Sequence, residues 1–456
     1  MKKQSLLTSL IFVSLLLSIT SCNREDDPYS DLSSLDREIM LLLEKAAPNK
    51  NIDYFLLPES TDFSTIPQDP NNPLTAEKVA LGRLLFHETG LALNPKLPEG
   101  MKTYSCASCH HSKAGFQACL PQGVGEGGQG FGITGEGRSQ NASYADTEID
   151  VQPLRTPSAL NVAYQTNILW NGQFGATGVN IGTEANWTTG TPKEKNFLGF
   201  EGTETQAIAG MGVHRLNIDQ NFVTQYPEYK ALFNAAFSNL PANERVSVKT
   251  AGLAIAAYER TLLANQAPFQ RWLKGDYNAM TDRQRLGAMY FFGQANCVSC
   301  HTGPALNKMD FYALGMNNLN HGNYGNVVNV NDQQPDHKGR GGFTGKAEDM
   351  YKFKVPQIYN LKTSPFYGHG ASFISIESIV RYKNNAVAEN SIVPQSQLAP
   401  EFEPLHLTDN QIKAIADFIE NALYDPNLNR YVPTALPTGQ CFPNNDTQSR
   451  IDLGCL

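Results

Sequence analysis

Two short runs carry chemistry whose type is set by spacing: Cys106-Ala107-Ser108-Cys109-His110 and Cys297-Val298-Ser299-Cys300-His301. Two thiols separated by two residues, with an imidazole directly after, suit a porphyrin that bears two vinyl groups on one edge. Each thiol can form a thioether, and the histidine can reach the iron as its proximal ligand. A longer gap could not span both vinyls and keep the imidazole axial. A zinc site has no need of a histidine directly after each cysteine pair, and a redox dithiol would sit in a strand–helix–strand context missing here. The cofactors implied are two haem c groups, one on Cys106 and Cys109 with His110, the other on Cys297 and Cys300 with His301. His111 reads as a bystander.

The elements that must hold these motifs read as helices. Apolar residues recur at helical spacing over Leu35–Ala47, Thr75–His87, Tyr226–Ser238, Arg245–Asn265, Thr281–Gly293, Ile376–Lys383 and Thr408–Tyr424. Thr75 can cap its helix. Irregular stretches rich in Gly, Pro, Asn and Thr separate them, among them Gly123–Gly137 and Gly172–Thr205. The first of these is too glycine-rich for a helix and reads as a loop over the first haem. The fold class expected is all-α and loop-rich, with two cytochrome c-like domains that each bind one haem c covalently. The expected divisions are 1–22 leader, 23–73 tether and helix, 74–270 first haem domain, 271–430 second haem domain, and 431–456 tail.

The first 22 residues read as an export signal: Lys2 and Lys3, an apolar run from Leu6 to Ile19, then Ile19-Thr20-Ser21-Cys22. That ending resembles a lipobox, which makes Cys22 the lipidated first residue of an exported protein facing the periplasm or the cell surface. The membrane is then touched only through this anchor. Export also suits haem c attachment and disulfides. Cys441 and Cys455 could close a tail loop, while pairing of Cys119 with either stays open. The net charge is −8, and removal of Lys2 and Lys3 gives −8 − 2 = −10. Such a surface excludes nucleic acid as a partner and suits a small basic protein. A second copy of the chain is left open as a partner.

Several further segments resemble the bacterial dihaem cytochrome c peroxidase/MauG family in order and content. They are Leu81-Gly82-Arg83-Leu84-Leu85-Phe86, Arg155-Thr156-Pro157-Ser158-Ala159-Leu160-Asn161, Trp170-Asn171-Gly172, Tyr351-Lys352-Phe353-Lys354-Val355-Pro356, and Pro365 to Gly370. The resemblance implies a first haem where hydrogen peroxide reacts and a second that takes in electrons from a small cytochrome c or cupredoxin. It implies a tryptophan between them, here Trp170, which a core aromatic role would also explain. It implies a calcium ion, with Thr156 and the carbonyls of Thr363 and Pro365 at the matching positions.

Three departures bear on mechanism. Glu126 stands where the family's glycine-rich loop carries a distal histidine, so the first haem is expected to be open at rest. Gln206 matches a family glutamine, but no glutamate follows it; His214 is the acid–base candidate, with Glu201 and Glu204 competing. Counting from Pro365 places the sixth ligand of the second haem at Tyr382, with Met309, Met316, Met350 and His369 as other candidates. The leading function is a cytochrome-c peroxidase. The alternatives are a MauG-like oxidase of a protein substrate and a non-catalytic dihaem electron carrier.

Overall fold

Helices carry most of the regular structure, and most of the longer ones start where a polar side chain caps them. The computed structural model describes residues 32–322 and 327–455. The leader and Cys22 lie outside the described residues. In the first half run α1 (Ser34–Ala46), α2 (Ala76–His87), α3 (Gly202–Val213), α4 (Gln220–Gln225), α5 (Pro227–Ala236) and α6 (Val248–Arg260). In the second follow α7 (Pro268–Leu273), α8 (Asp282–Phe292), α9 (Arg340–Thr344), α10 (Ile376–Asn385), α11 (Asp409–Asp417) and α12 (Thr447–Asp452). Ser33, Thr75, Ser247, Thr281, Ser375 and Thr408 each accept a first-turn amide at the N-terminus of their helix. Two antiparallel ribbons complete the described structure: β1 (Gly128–Gln129) with β2 (Ser139–Gln140), and β3 (Lys308–Tyr312) with β4 (Phe353–Val355). The all-α expectation therefore holds as a mostly helical, loop-rich fold with short ribbons added.

One packing device is used twice. α2, ahead of the first motif, crosses α6; α8, ahead of the second, crosses α11. A Cβ on Gly82 would lie 1.9 Å from the Ala254 carbonyl oxygen, and one on Gly287 would lie 2.0 Å from that of Ala414. Tyr258 and Phe418, four residues on, close the contact in each case. Only a glycine lets the two helix backbones approach this far. Gly82→Ala and Gly287→Ala should each destabilise the protein by about 1–3 kcal/mol through forced separation, read as a lower denaturant midpoint at unchanged slope. Midpoints equal to wild type would rule out this close approach.

Two apolar cores result. One gathers α2, α3, α5 and α6 around the first motif. The other gathers α7, α8, α10 and α11 around the second. The chain ends cross over between them. α1 packs on α8, and its buried Asp36 accepts from Trp272 Nε1 at 2.9 Å and Arg285 Nη1 at 2.8 Å. The tail instead lies on the first core. Ser105 Oγ donates to the Pro443 carbonyl at 2.9 Å, and Asp452 accepts from Phe131 N at 2.7 Å and Gly132 N at 2.9 Å. Cys441 and Cys455 are joined in a disulfide and Cys119 is free, which resolves the pairing. Among the described residues no helix is long and apolar enough to cross a membrane.

Candidate active site

Both cysteine–histidine motifs open into one cavity of about 720 Å³. Each folds into a single tight turn, Cys106–Ser108 and Cys297–Ser299, which presents two cysteines and the following histidine together. The four thiols are free of disulfides. The two histidines are held alike. His110 Nδ1 donates to the Phe116 carbonyl at 3.2 Å, and His301 Nδ1 to the Leu306 carbonyl at 3.1 Å. Burial pushes the His110 imidazole down to about 4 and lowers that of His301 as well. Both are therefore neutral, with Nδ1–H engaged and Nε2 left as a free lone pair, the state that ligates iron. The residues present thus fit two haem groups. A side chain on Gly123 would clash with Cys109, its Cβ lying 3.0 Å from the Cys109 sulfur, which explains one glycine of the loop.

On the side of the first motif, α3 presents Gln206, Gly210 and His214 to the cavity, four residues apart and so on one helix face. His214 Nδ1 donates to Asp150 Oδ2 at 2.8 Å. About a third of the His214 side chain is open, and the opening is to the cavity. Burial works to lower its pKa, but the charge and hydrogen bond of Asp150 outweigh that, and the net shift is upward. His214 and His110 both line this cavity. Asp150 escaped the sequence reading because nothing local distinguishes it from other loop acids.

Glu126 departs from its expected role. Its carboxylate is fully buried away from the cavity. It accepts from Lys96 N at 2.5 Å, Leu97 N at 3.2 Å and Tyr144 OH at 3.1 Å, and pairs with Arg215 at 2.5 Å. It ties the loop to its surroundings and is neither ligand nor base. Glu201 and Glu204 are likewise committed, at 2.9 and 2.6 Å, to the buried Arg260. A carboxyl the sequence reading overlooked does line the cavity: Glu259, on α6, is buried, and burial pushes it up to about 8. Its signal was legible as a charged residue on the apolar face of a helix.

Trp170 lies between the motifs. Its Nε1 donates to the Arg155 carbonyl at 2.7 Å, and its own carbonyl accepts from Lys354 N at 2.7 Å. Two residues beyond Arg155, the Pro157 backbone contacts His110; two beyond Lys354, the Pro356 backbone contacts His301. Trp170 is therefore bonded to the backbone segments behind both histidines. The Lys354 side chain also lines the cavity, donating to Gln165 Oε1 at 2.5 Å, and burial pushes its ammonium down to about 7.

On the side of the second motif, Tyr382 is held by its neighbours. Its hydroxyl donates to the Leu314 carbonyl at 2.5 Å, its ring packs between Phe373 and Phe402, and it does not line the cavity. Of the other candidates Met316 and His369 line the cavity, whereas Met309 and Met350 do not. His369 is stacked on Phe353 at 3.6 Å, with Nε2 against Asn318 Oδ1 at 3.3 Å.

For calcium, Thr156 lines the cavity and the Thr363 hydroxyl is buried without a partner. The Thr363 carbonyl already accepts from the Cys119 thiol at 3.8 Å. None of Thr156, Thr363 and Pro365 supplies a carboxylate, and among the described residues no three His, Cys, Asp or Glu side chains converge as a metal site. A cation that prefers six to eight oxygens finds a poor fit, and no step is drawn through it.

A family model described as di-haem cytochrome c peroxidase matches residues 76–278. The methylamine utilization protein MauG of Methylorubrum extorquens is 26% identical over 374 residues, covering 82% of this chain and 84% of its own. The cytochrome-c peroxidase IdrP1 of Denitromonas iodatirespirans is 26% identical over 373 residues, covering 78% and 84%. Among solved structures, a MauG-like protein associated with microbial copper homeostasis shares the fold with a TM-score of 0.55 at 19% identity, over 82% of this chain and 95% of that one. The diheme peroxidase BthA of Burkholderia thailandensis follows at 0.50 and 17%, over 81% and 90%. With the paired motifs and the cavity they share, these likenesses show the chain to be similar to the bacterial di-haem cytochrome c peroxidase/MauG family, whose model it matches over residues 76–278.

Proposed function

We propose that the chain is an exported dihaem peroxidase: hydrogen peroxide, two electrons and two protons give two waters. The observation that carries this reading is the single cavity in which both motifs meet, with His214 and Asp150 on one side and Trp170 between. Bound haem supplies redox chemistry and an iron position open to peroxide. The chain's own residues do the rest. His214, held by Asp150, accepts a proton at Nε2 from one peroxide oxygen and returns it to the other. Gln206 donates to bound peroxide. Trp170 connects the segments behind the two proximal histidines. Residues 74–270 and 271–430 serve as peroxidatic and electron-transfer units, and the acidic surface receives a small basic cytochrome c or cupredoxin.

A MauG-like oxidation of a protein substrate is the alternative class, but it loses the support of Tyr382, whose hydroxyl is held by a backbone carbonyl. The cavity face of α3 offers an acid–base histidine, which a closed electron carrier has no use for. The test is peroxide consumption by the haem-loaded chain with a reduced small cytochrome as donor. Two donor oxidations per peroxide are expected. Donor oxidation that does not depend on peroxide would overturn the reading.

A further inference from the structure

We infer that the Arg155 guanidinium is the cation that ties the two halves of the chain together, in the place where the family resemblance implies calcium. Thr156, Thr363 and Pro365 are the positions that ion would use, and their chain neighbours are joined directly. Arg155 precedes Thr156, Ser364 lies between Thr363 and Pro365, and Arg155 Nη2 donates to Ser364 Oγ. Both residues are buried. Arg155 Nη1 donates to the Leu120 carbonyl at 3.0 Å, and Nη2 to Gln117 Oε1 at 3.1 Å, with the Ala118 carbonyl 3.5 Å away. Ser364 Oγ gives its own hydrogen to the Ala118 carbonyl at 2.6 Å.

These oxygens are neutral and come from both sides of the junction. Gln117, Ala118 and Leu120 follow the first motif, and Ser364 follows β4. A calcium ion takes six to eight oxygens. A planar fork of N–H donors with one permanent charge is satisfied by fewer, and by carbonyls and hydroxyls alone. A calcium ion brought beside it would meet a like charge in a buried site. The buried Thr363 hydroxyl stays without a partner, but one neutral oxygen does not hold such an ion. The same residue orders the junction between the motifs. Its N–H donates to the His369 carbonyl at 2.9 Å, and its carbonyl accepts from Trp170 Nε1 at 2.7 Å. The guanidinium therefore fastens, in the second half, the backbone on which Trp170 rests. Arg155 is a positioning residue.

The experiment is calcium analysis of the haem-loaded chain, with unfolding and inter-haem electron transfer followed in excess EGTA and in added calcium. The variants are Arg155→Met and Arg155→Asp, with haem counted in each. The wild type should carry no bound calcium, and neither EGTA nor calcium should move its unfolding midpoint or its transfer rate. Arg155→Met should keep both haems, unfold at lower denaturant and pass electrons from the second haem to the first several-fold more slowly. Reduction of its second haem by donor should be unchanged. Arg155→Asp places a carboxylate among the same oxygens, so calcium should raise its midpoint and EGTA lower it again. One calcium per wild-type chain, or a wild-type midpoint that EGTA lowers, would overturn the inference. So would wild-type transfer in Arg155→Met, or an Arg155→Asp chain indifferent to calcium. Where a variant does not fold, the wild-type calcium measurements decide alone. Only the electron-transfer arm rests on the dihaem reading: a chain without two haems would sink that reading and leave the calcium result standing.

Discussion

His214→Leu should lower peroxide turnover by roughly 10²- to 10⁴-fold, the usual weight of a positioned acid–base group. The substitution keeps the bulk of the side chain on a cavity face, so both haems and the fold should be retained. Asp150→Asn should cost less and leave a different trace. Asp150 raises the His214 pKa against burial. A base acts in its neutral form, so the rate should climb with pH through that raised value. Replacing Asp150 removes the charge, and the climb should move to lower pH. A wild-type profile flat from pH 5 to about 8, or a climb that does not move in Asp150→Asn, would remove His214 from the reaction.

Trp170→Phe should slow donor-driven turnover by roughly tenfold or more, equivalent to about 1.4 kcal/mol on the barrier. The indole N–H is bonded to the Arg155 carbonyl, in the segment behind His110. Phenylalanine keeps an aromatic ring but cannot donate, so this hydrogen bond is lost at a cost of about 0.5–1.5 kcal/mol in stability. The diagnostic lies in separating two rates. Reduction of the second haem by donor should be unaffected, while passage of the electron to the first should slow. Equal slowing of both, or of neither, would remove Trp170 from the route.

The attachment chemistry was legible because it depends on local spacing: Cys106 to His110 and Cys297 to His301 state it in five residues each. Helices with one apolar stripe, such as α1 and α11, were legible for a similar reason. α3 was not. It carries Gly202, Gly210 and Gly212 and is buried nearly all round, so it has neither propensity nor a polar face to mark it. Its cavity residues Gln206 and His214 were still identified, through chemistry and resemblance. Counting along a chain fails differently. Glu126 sits in the right loop, but its carboxylate turns toward Arg215. Tyr382 sits on α10, but its hydroxyl is turned to the Leu314 carbonyl. Neither shows in sequence, because both concern the direction of a side chain.

The crossed chain ends have a consequence for how the protein is made. The first helix among the described residues, α1, rests on the core around the second motif, and the disulfide-closed tail rests on the core around the first. Neither unit can be finished from its own stretch of polypeptide. The leading half must wait for the last residues to be delivered, and the trailing half needs a helix translated well before it. Cutting the gene at its midpoint should yield two incomplete bodies.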